Sequence, residues 1–160
     1  MSAERPRRRE LDGRGLRIAI VCSRFNEEIT DSLLAATRRA LGELMVSEDD
    51  IACTAVPGAF ELPVVAQRLA VSGRYDAVIA LGAVIRGETG HYELVARAAA
   101  AGIARVALDS GVPVIFGVLA TETLEQARAR SDGALGNRGE DAACAAVEMA
   151  VLLRSIDNDG

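Results

Sequence analysis

Short apolar runs alternate along this chain with longer segments in which apolar residues recur at helical spacing. The short runs are rich in β-branched residues and predict four strands, at 16–22, 51–56, 75–85 and 112–119. The longer segments predict five helices, at about 27–44, 62–73, 92–108, 122–130 and 140–154. Asn26 and Thr121 are expected to cap the first and fourth helices with their side chains, and Gly111 to end the third.

The regular alternation of strands and helices predicts the fold class. Strands that are apolar on both sides are typical of a parallel sheet with helices on both faces. We therefore expect an α/β protein, a three-layer α/β/α sandwich with a four-stranded parallel sheet of flavodoxin-like character. Residues 1–15 are polar and predict an N-terminal arm, in which the RPRRR run is most simply a solvated or partner-contacting tail. Residues 16–160 predict a single domain.

Composition narrows the function classes. The net charge of -5 argues against nucleic acid as the main partner. All 18 basic residues are arginines, so no lysine amine is present to form a Schiff base with a carbonyl substrate. The three cysteines lack CxxC spacing and are interpreted as reduced thiols of a cytoplasmic protein. No apolar run reaches the length of a membrane span, and no secretory signal follows the basic N-terminus.

The scarce residue types fall where the predicted strands end. In an open parallel sheet these ends meet at one edge, where ligands bind. All three phenylalanines and the only histidine belong to this set: Phe25, Phe60, Phe116 and His91. An aromatic ring can stack on a flat heterocycle, a helix start with an arginine can hold a phosphate, and a histidine can move a proton. The alternatives are core packing for Phe25 and Phe60, and an ordinary turn with an exposed histidine.

Five separated motifs carry a resemblance to a known family. They are RFNEEIT at 24–30, VPGAFELP at 56–63, LGAVIRGETGHYE at 81–93, GVPVIFGVL at 111–119 and GNRGEDAACAAVEMA at 136–150. Together they resemble the 6,7-dimethyl-8-ribityllumazine synthases, which make the penultimate compound of riboflavin biosynthesis. The resemblance covers about residues 11–155, in order and with matching spacings.

The resemblance implies a reaction and a set of site residues. A ribitylaminouracil would condense with 3,4-dihydroxy-2-butanone 4-phosphate through its own amine, with no cofactor and no metal. His91 would be the catalytic residue for proton transfer. The ribitylaminouracil would bind to Phe25, Asn26, Ala59, Phe60, Glu61, Ala83, Val84, Ile85 and Phe116. The butanone phosphate would bind to Glu88, Thr89 and Arg130.

Several arginines lie near one another in the sequence, so the phosphate ligand has to be chosen among them. Arg130 is preferred over Arg128 as the phosphate ligand because its spacing from Phe116 fits the family pattern. Arg138 is a weaker candidate for the edge of the site. Arg86 is interpreted as a structural or interface residue.

The resemblance also implies an assembly. Family members form pentamers with active sites at subunit interfaces, so Phe116 and Arg130 would come from the neighbouring subunit. Some pentamers build icosahedral shells, and the short loop 131–139 favours a shell here, with an association with riboflavin synthase as a further expectation. Two other functions stay open: a non-catalytic flavin- or pterin-binding module, and a structural shell protein that encloses a cargo.

Overall fold

The computed structural model describes residues 10–133 and 135–159. Within these ranges four strands alternate with helices, as the apolar pattern predicts. The strands are β1 (Ile18–Ser23), β2 (Ile51–Val56), β3 (Ala77–Ile85) and β4 (Val114–Thr121). The helices are α1 (Glu27–Glu43), α2 (Leu62–Val71), α3 (His91–Ser110), α4 (Leu124–Ser131) and α5 (Arg138–Asn158).

The strands form one sheet in the order β2-β1-β3-β4, and every neighbouring pair is parallel. The two central strands are buried on both sides because helices cover both faces, which confirms the three-layer α/β sandwich. The edge strands are more exposed than the two central strands. Residues 53–55 of β2 and Phe116 of β4 are exposed, since an edge strand has a neighbour on one side only.

Two apolar clusters hold the layers together. On one face, Ile20 and Ile79 pack with Leu33 of α1 and Val147 of α5. On the other face, the alternate residues of the same strands pack with α2 and α3, for example Val78 with Ile103. The period of two in each strand therefore supplies both helical layers with apolar side chains.

The helix caps correct two predictions. Asn26 precedes α1 in the left-handed conformation (φ 63°, ψ 53°), and its side chain makes no cap hydrogen bond. Its backbone carbonyl instead accepts from the N–H groups of Ile29 and Thr30. Thr121 does not cap α4 because β4 continues to that residue. Thr123 does so, in a reciprocal capping box with Gln126.

The predicted N-terminal arm lies only in part within the described residues. Its first nine residues, with the RPRRR run, lie outside them. Of the remainder, Leu11 packs against the core and the buried Gly13 donates a backbone hydrogen bond to Leu44 O (2.7 Å). This end of the arm therefore contacts the domain. Among the described residues no helix has the length and apolar character that crossing a membrane demands.

Candidate active site

Most of the predicted site residues line one cleft, which we call the His91 cleft. It has a volume of about 550 Å³ and lies where β1, β2 and β3 end. The predicted residues that line it are Phe25, Asn26, Ala59, Phe60, Glu61, Ala83, Val84, Ile85, Thr89 and His91. The cleft is large enough for a small-molecule ligand.

The phenylalanines of this cleft are not core residues. Phe25 is 71% exposed and Phe60 is 63% exposed, although smaller apolar side chains fill both core clusters. Large aromatic side chains bury much apolar surface when they pack, so two exposed rings at one cleft indicate a ligand surface. Core packing, the alternative for both residues, is therefore wrong.

Asn26 fixes the wall of the cleft. Its side-chain Nδ2 donates a hydrogen bond to the backbone carbonyl of Ala83 at 3.0 Å. Asparagine tolerates the left-handed backbone conformation of this position better than most residues. The bond ties the turn that bears Phe25 to the end of β3, and it occupies one lone pair of a carbonyl that was predicted to contact the ligand.

Glu61 lines the cleft and directly precedes α2. Its carboxylate passes close to Gly58, where an added Cβ would lie 3.4 Å from Oε2. The 59–61 segment forms a short 3₁₀ turn, closed by a hydrogen bond from Glu61 N–H to Gly58 O. This turn places Glu61 and the exposed Phe60 ring on one short segment of the cleft lining.

His91 is the first residue of α3 and is exposed to the cleft. Its backbone N–H donates to Thr89 Oγ1 at 3.3 Å, so the threonine hydroxyl closes the turn that leads into α3. Gly90 has an ordinary φ of -71°, and an added Cβ there would meet nothing within 4 Å. The pose of His91 therefore does not depend on a glycine. Glu88 is exposed and is not among the residues that line the cleft.

Arg86 holds the two ends of the 87–90 turn together. Its guanidinium lies 3.1 Å from Glu93 and 2.6 Å from Glu122, and 4.5 Å from the centre of the Tyr92 ring. The hydrogen bond to Glu93 is the chief cause that raises the pKa of Arg86 above its ordinary value. Arg86 is thus a structural residue in this subunit, as its position predicts.

Phe116 and Arg130 line a second cavity, which we call the β4 cavity. It has a volume of about 650 Å³ and lies between β4, α4 and α5 at the free edge of the sheet. Arg138 also lines it, and Phe116 is 47% exposed there. The structure therefore separates the predicted phosphate-binding arginine from His91 within one subunit.

The two candidate arginines of α4 have different surroundings. Arg128 forms a two-point ion pair with Glu28 of α1, at 2.6 and 3.0 Å, and lowers the pKa of that carboxyl below its ordinary value. Arg130 faces the β4 cavity, and among the described residues its guanidinium donates only to the backbone of its own helix, at Gln126 O (2.9 Å). Of the two, Arg130 is the one that lines the β4 cavity.

Sequence reasoning did not assign Tyr92 and Val95, which also line the His91 cleft. Tyr92 carries a signal that could have found it, since it is one of only two tyrosines and follows the only histidine. Val95 carries none, because an apolar residue one turn into a helix normally faces the core. Among the described residues no group of three or more His, Cys, Asp or Glu side chains could hold a metal ion.

The sheet and the His91 cleft define a flavodoxin-like α/β protein with a cleft at the ends of its parallel strands. The site combines aromatic rings, a carboxylate and a histidine at a helix start. A family model described as 6,7-dimethyl-8-ribityllumazine synthase matches residues 15–154, nearly the whole chain. The chain therefore belongs to the 6,7-dimethyl-8-ribityllumazine synthase family, a family of transferases. Membership supports lumazine synthase activity in riboflavin biosynthesis.

Proposed function

We propose that the protein condenses 5-amino-6-(D-ribitylamino)uracil with 3,4-dihydroxy-2-butanone 4-phosphate to form 6,7-dimethyl-8-ribityllumazine. The observation that carries the proposal is the complementarity of the two cavities. Among the described residues that line the His91 cleft none is an arginine, while Arg130 and Arg138 line the β4 cavity. A site for a phosphorylated ketone needs both sets, and two neighbouring subunits supply them together.

The His91 cleft suits the ribitylaminouracil. The exposed Phe25 ring stacks on the pyrimidine, and the backbone at 83–85 contacts its polar edge. Glu61 accepts hydrogen bonds from ribityl hydroxyls beside Phe60 and Ala59. Asn26 acts by holding the Phe25 turn against Ala83, in keeping with the hydrogen bond between them.

The phosphate end lies at the start of α3. The backbone N–H groups of Glu88 and Thr89 lie just before the N-terminus of α3, where the helix dipole favours an anion. Arg130 of the neighbouring subunit neutralises the phosphate with a charge-assisted hydrogen bond, and Phe116 of that subunit closes the pyrimidine pocket. Glu88 is exposed, so its carboxylate can turn to solvent, away from the anion.

The chemistry proceeds without an enzyme amine, in keeping with a chain that contains no lysine. The 5-amino group of the pyrimidine attacks the ketone carbon, and loss of water leaves an imine. Removal of a proton from the hydroxyl-bearing carbon of the former ketone substrate expels phosphate and leaves an enol, which takes up a proton at its terminal carbon and becomes a ketone. The ribitylamino nitrogen attacks this carbonyl, and loss of a second water closes the ring. His91 accepts and returns the protons of these steps, while the site aligns the two substrates.

We propose further that the subunits form pentameric rings in the cytoplasm, and that the rings build an icosahedral shell that can associate with riboflavin synthase. The apolar surface of α3 supports tight subunit packing, since Leu94 is 71% and Leu108 is 85% exposed. Light scattering measures the assembly mass. A pentamer as the sole species would refute the shell, and a monomer would refute the shared site.

Subunit complementation tests the shared site directly. His91→Ala and Arg130→Ala proteins are each assayed alone and after refolding together in equal amounts, with lumazine formation followed by absorbance. In a head-to-tail ring about a quarter of the mixed sites regain both residues, so the mixture should exceed the mean of the two variants. A mixture no more active than that mean would place both residues in one subunit's site. A flavin- or pterin-binding module would form no lumazine at all.

A further inference from the structure

The helix that carries Arg130 has little buried surface of its own. α4 spans Leu124–Ser131, and only Ala127 and Ser131 of its residues are buried. Such a small contact surface gives a helix a weak hold on the domain, because burial of apolar surface is the main force between packed elements. The orientation of α4 must therefore depend on polar ties to its neighbours.

One of these ties joins α4 to α1 within the same subunit. Arg128 Nε donates to Glu28 Oε1 at 2.6 Å, and Arg128 Nη2 donates to Glu28 Oε2 at 3.0 Å. This two-point geometry fixes the direction of an arginine as well as its distance. Residues two apart on a helix point to nearly opposite sides, so Arg128 can hold α1 while Arg130 faces the β4 cavity.

Arg130 depends on the orientation of its helix. In the described chain its guanidinium donates to Gln126 O of the preceding turn, at 2.9 Å. Its side chain is thus held by α4 itself, and a tilt of α4 moves the guanidinium with it. The N-terminal end of α4 has ties of its own, namely the Thr123–Gln126 capping box and the Arg86–Glu122 ion pair. The C-terminal end is tied to the following loop, where Leu135 N–H donates to Ala129 O and Asn137 Nδ2 donates to Ser131 O. The Glu28–Arg128 pair is the ion pair that ties α4 to α1.

We propose that Glu28 and Arg128 are positioning residues, which hold α4 against α1 and thereby aim Arg130 at the phosphate of the substrate bound by the neighbouring subunit. The proposal rests on the proposed function, since it assigns Arg130 to that phosphate. Arg128 touches no substrate in this role.

The effect should be confined to one substrate. Glu28 lies two residues after Asn26, yet the turn that bears Phe25 has separate anchors. Phe25 N–H donates to Pro57 O at 3.1 Å, and Asn26 Nδ2 donates to Ala83 O at 3.0 Å. Loss of the ion pair should therefore raise the KM for the butanone phosphate and leave the KM for the ribitylaminouracil unchanged.

The test compares Arg128→Ala, Glu28→Ala and the charge swap Glu28→Arg/Arg128→Glu in the full-length assembly. An exposed ion pair has a modest effect, so each single variant should raise the KM for the butanone phosphate about two- to fivefold, and the swap should restore it. Arg128→Ala should add nothing in an Arg130→Ala background. Arg14→Ala, which removes the exposed two-point pair with Asp12, is the matched control and should have no effect.

Three results would overturn the proposal: an unchanged KM in both single variants, a further loss from Arg128→Ala when Arg130 is absent, or a much larger effect of Arg128→Ala than of Glu28→Ala without rescue by the swap. The last two would make Arg128 itself a phosphate ligand. A wild-type protein that forms no lumazine would refute the proposed function. An active wild-type protein with an unaffected Arg128→Ala variant would refute only the positioning role.

Discussion

Replacing Phe25 by alanine should separate the ligand role of this ring from its part in the fold. An aromatic side chain buries roughly 200 Å² when fully packed. Phe25 is 71% exposed, so folding gains at most about 1.5 kcal/mol from it at ~25 cal/mol per Å². Stacking of a flat base on an aromatic ring contributes about 1–3 kcal/mol. We therefore expect the KM for the ribitylaminouracil to rise about 5- to 150-fold, with little loss of stability.

The assay pairs steady-state kinetics with urea unfolding. Phe25→Tyr retains the ring and should keep a KM near the wild-type value. Leu33→Ala is the contrasting variant, because Leu33 is fully buried in the core and lies outside the His91 cleft. It should lower the free energy of unfolding by about 2–5 kcal/mol and leave the KM unchanged. An unaltered KM in Phe25→Ala, or a loss of stability as large as that of Leu33→Ala, would refute the stacking role.

Five other variants or treatments test separate parts of the structure. His91→Ala should lower turnover about 100-fold or more without abolishing it, because alignment of the two substrates remains; unchanged turnover would remove His91 from the mechanism. Arg130→Ala should raise the KM for the butanone phosphate about 10- to 100-fold, as expected for a hydrogen bond between charged groups, and spare the other substrate. Gly139→Ala should lower the free energy of unfolding by about 2 kcal/mol, because the added Cβ would lie 2.3 Å from Leu33 O. Gly42→Ala is the control, since nothing lies within 4 Å of the added Cβ, and it should raise the free energy of unfolding by up to about 1 kcal/mol. Equal changes in the free energy of unfolding of the two glycine variants, measured in urea, would contradict this account. Burial raises the pKa of the Cys22 thiol to about 11 by disfavouring the thiolate, so at pH 8 iodoacetamide should modify Cys22 only after unfolding, as mass spectrometry would show.

The hydrophobic pattern by itself determined the order and type of the strands and main helices. Apolar runs and helical periodicity are local properties, and they survive in the structure with shifts of a few residues at the ends. The capping residues were harder to predict because a cap depends on backbone conformation. Asn26 is a residue type that often caps helices, but its backbone is left-handed and its side-chain amide donates to Ala83 O instead of capping α1. Thr121 was predicted to cap α4, but the pairing of β4 with β3 includes that residue, so Thr121 belongs to the strand.

The sequence also indicated most of the residues that line the His91 cleft, because rare residue types lie where the strands end. Only the tertiary structure decided how they divide. Phe116 and Arg130 share a cavity of their own, since β4 is the edge strand and its outer side faces away from the ends of β1 and β2. The choice between Arg128 and Arg130 likewise depended on the packing of α4 against α1, which places one guanidinium on Glu28 and leaves the other facing a cavity. The spacing of residues along a chain predicts which of them share a face of a helix. It does not predict which element packs against that face, because Arg128 and its partner Glu28 lie 100 residues apart.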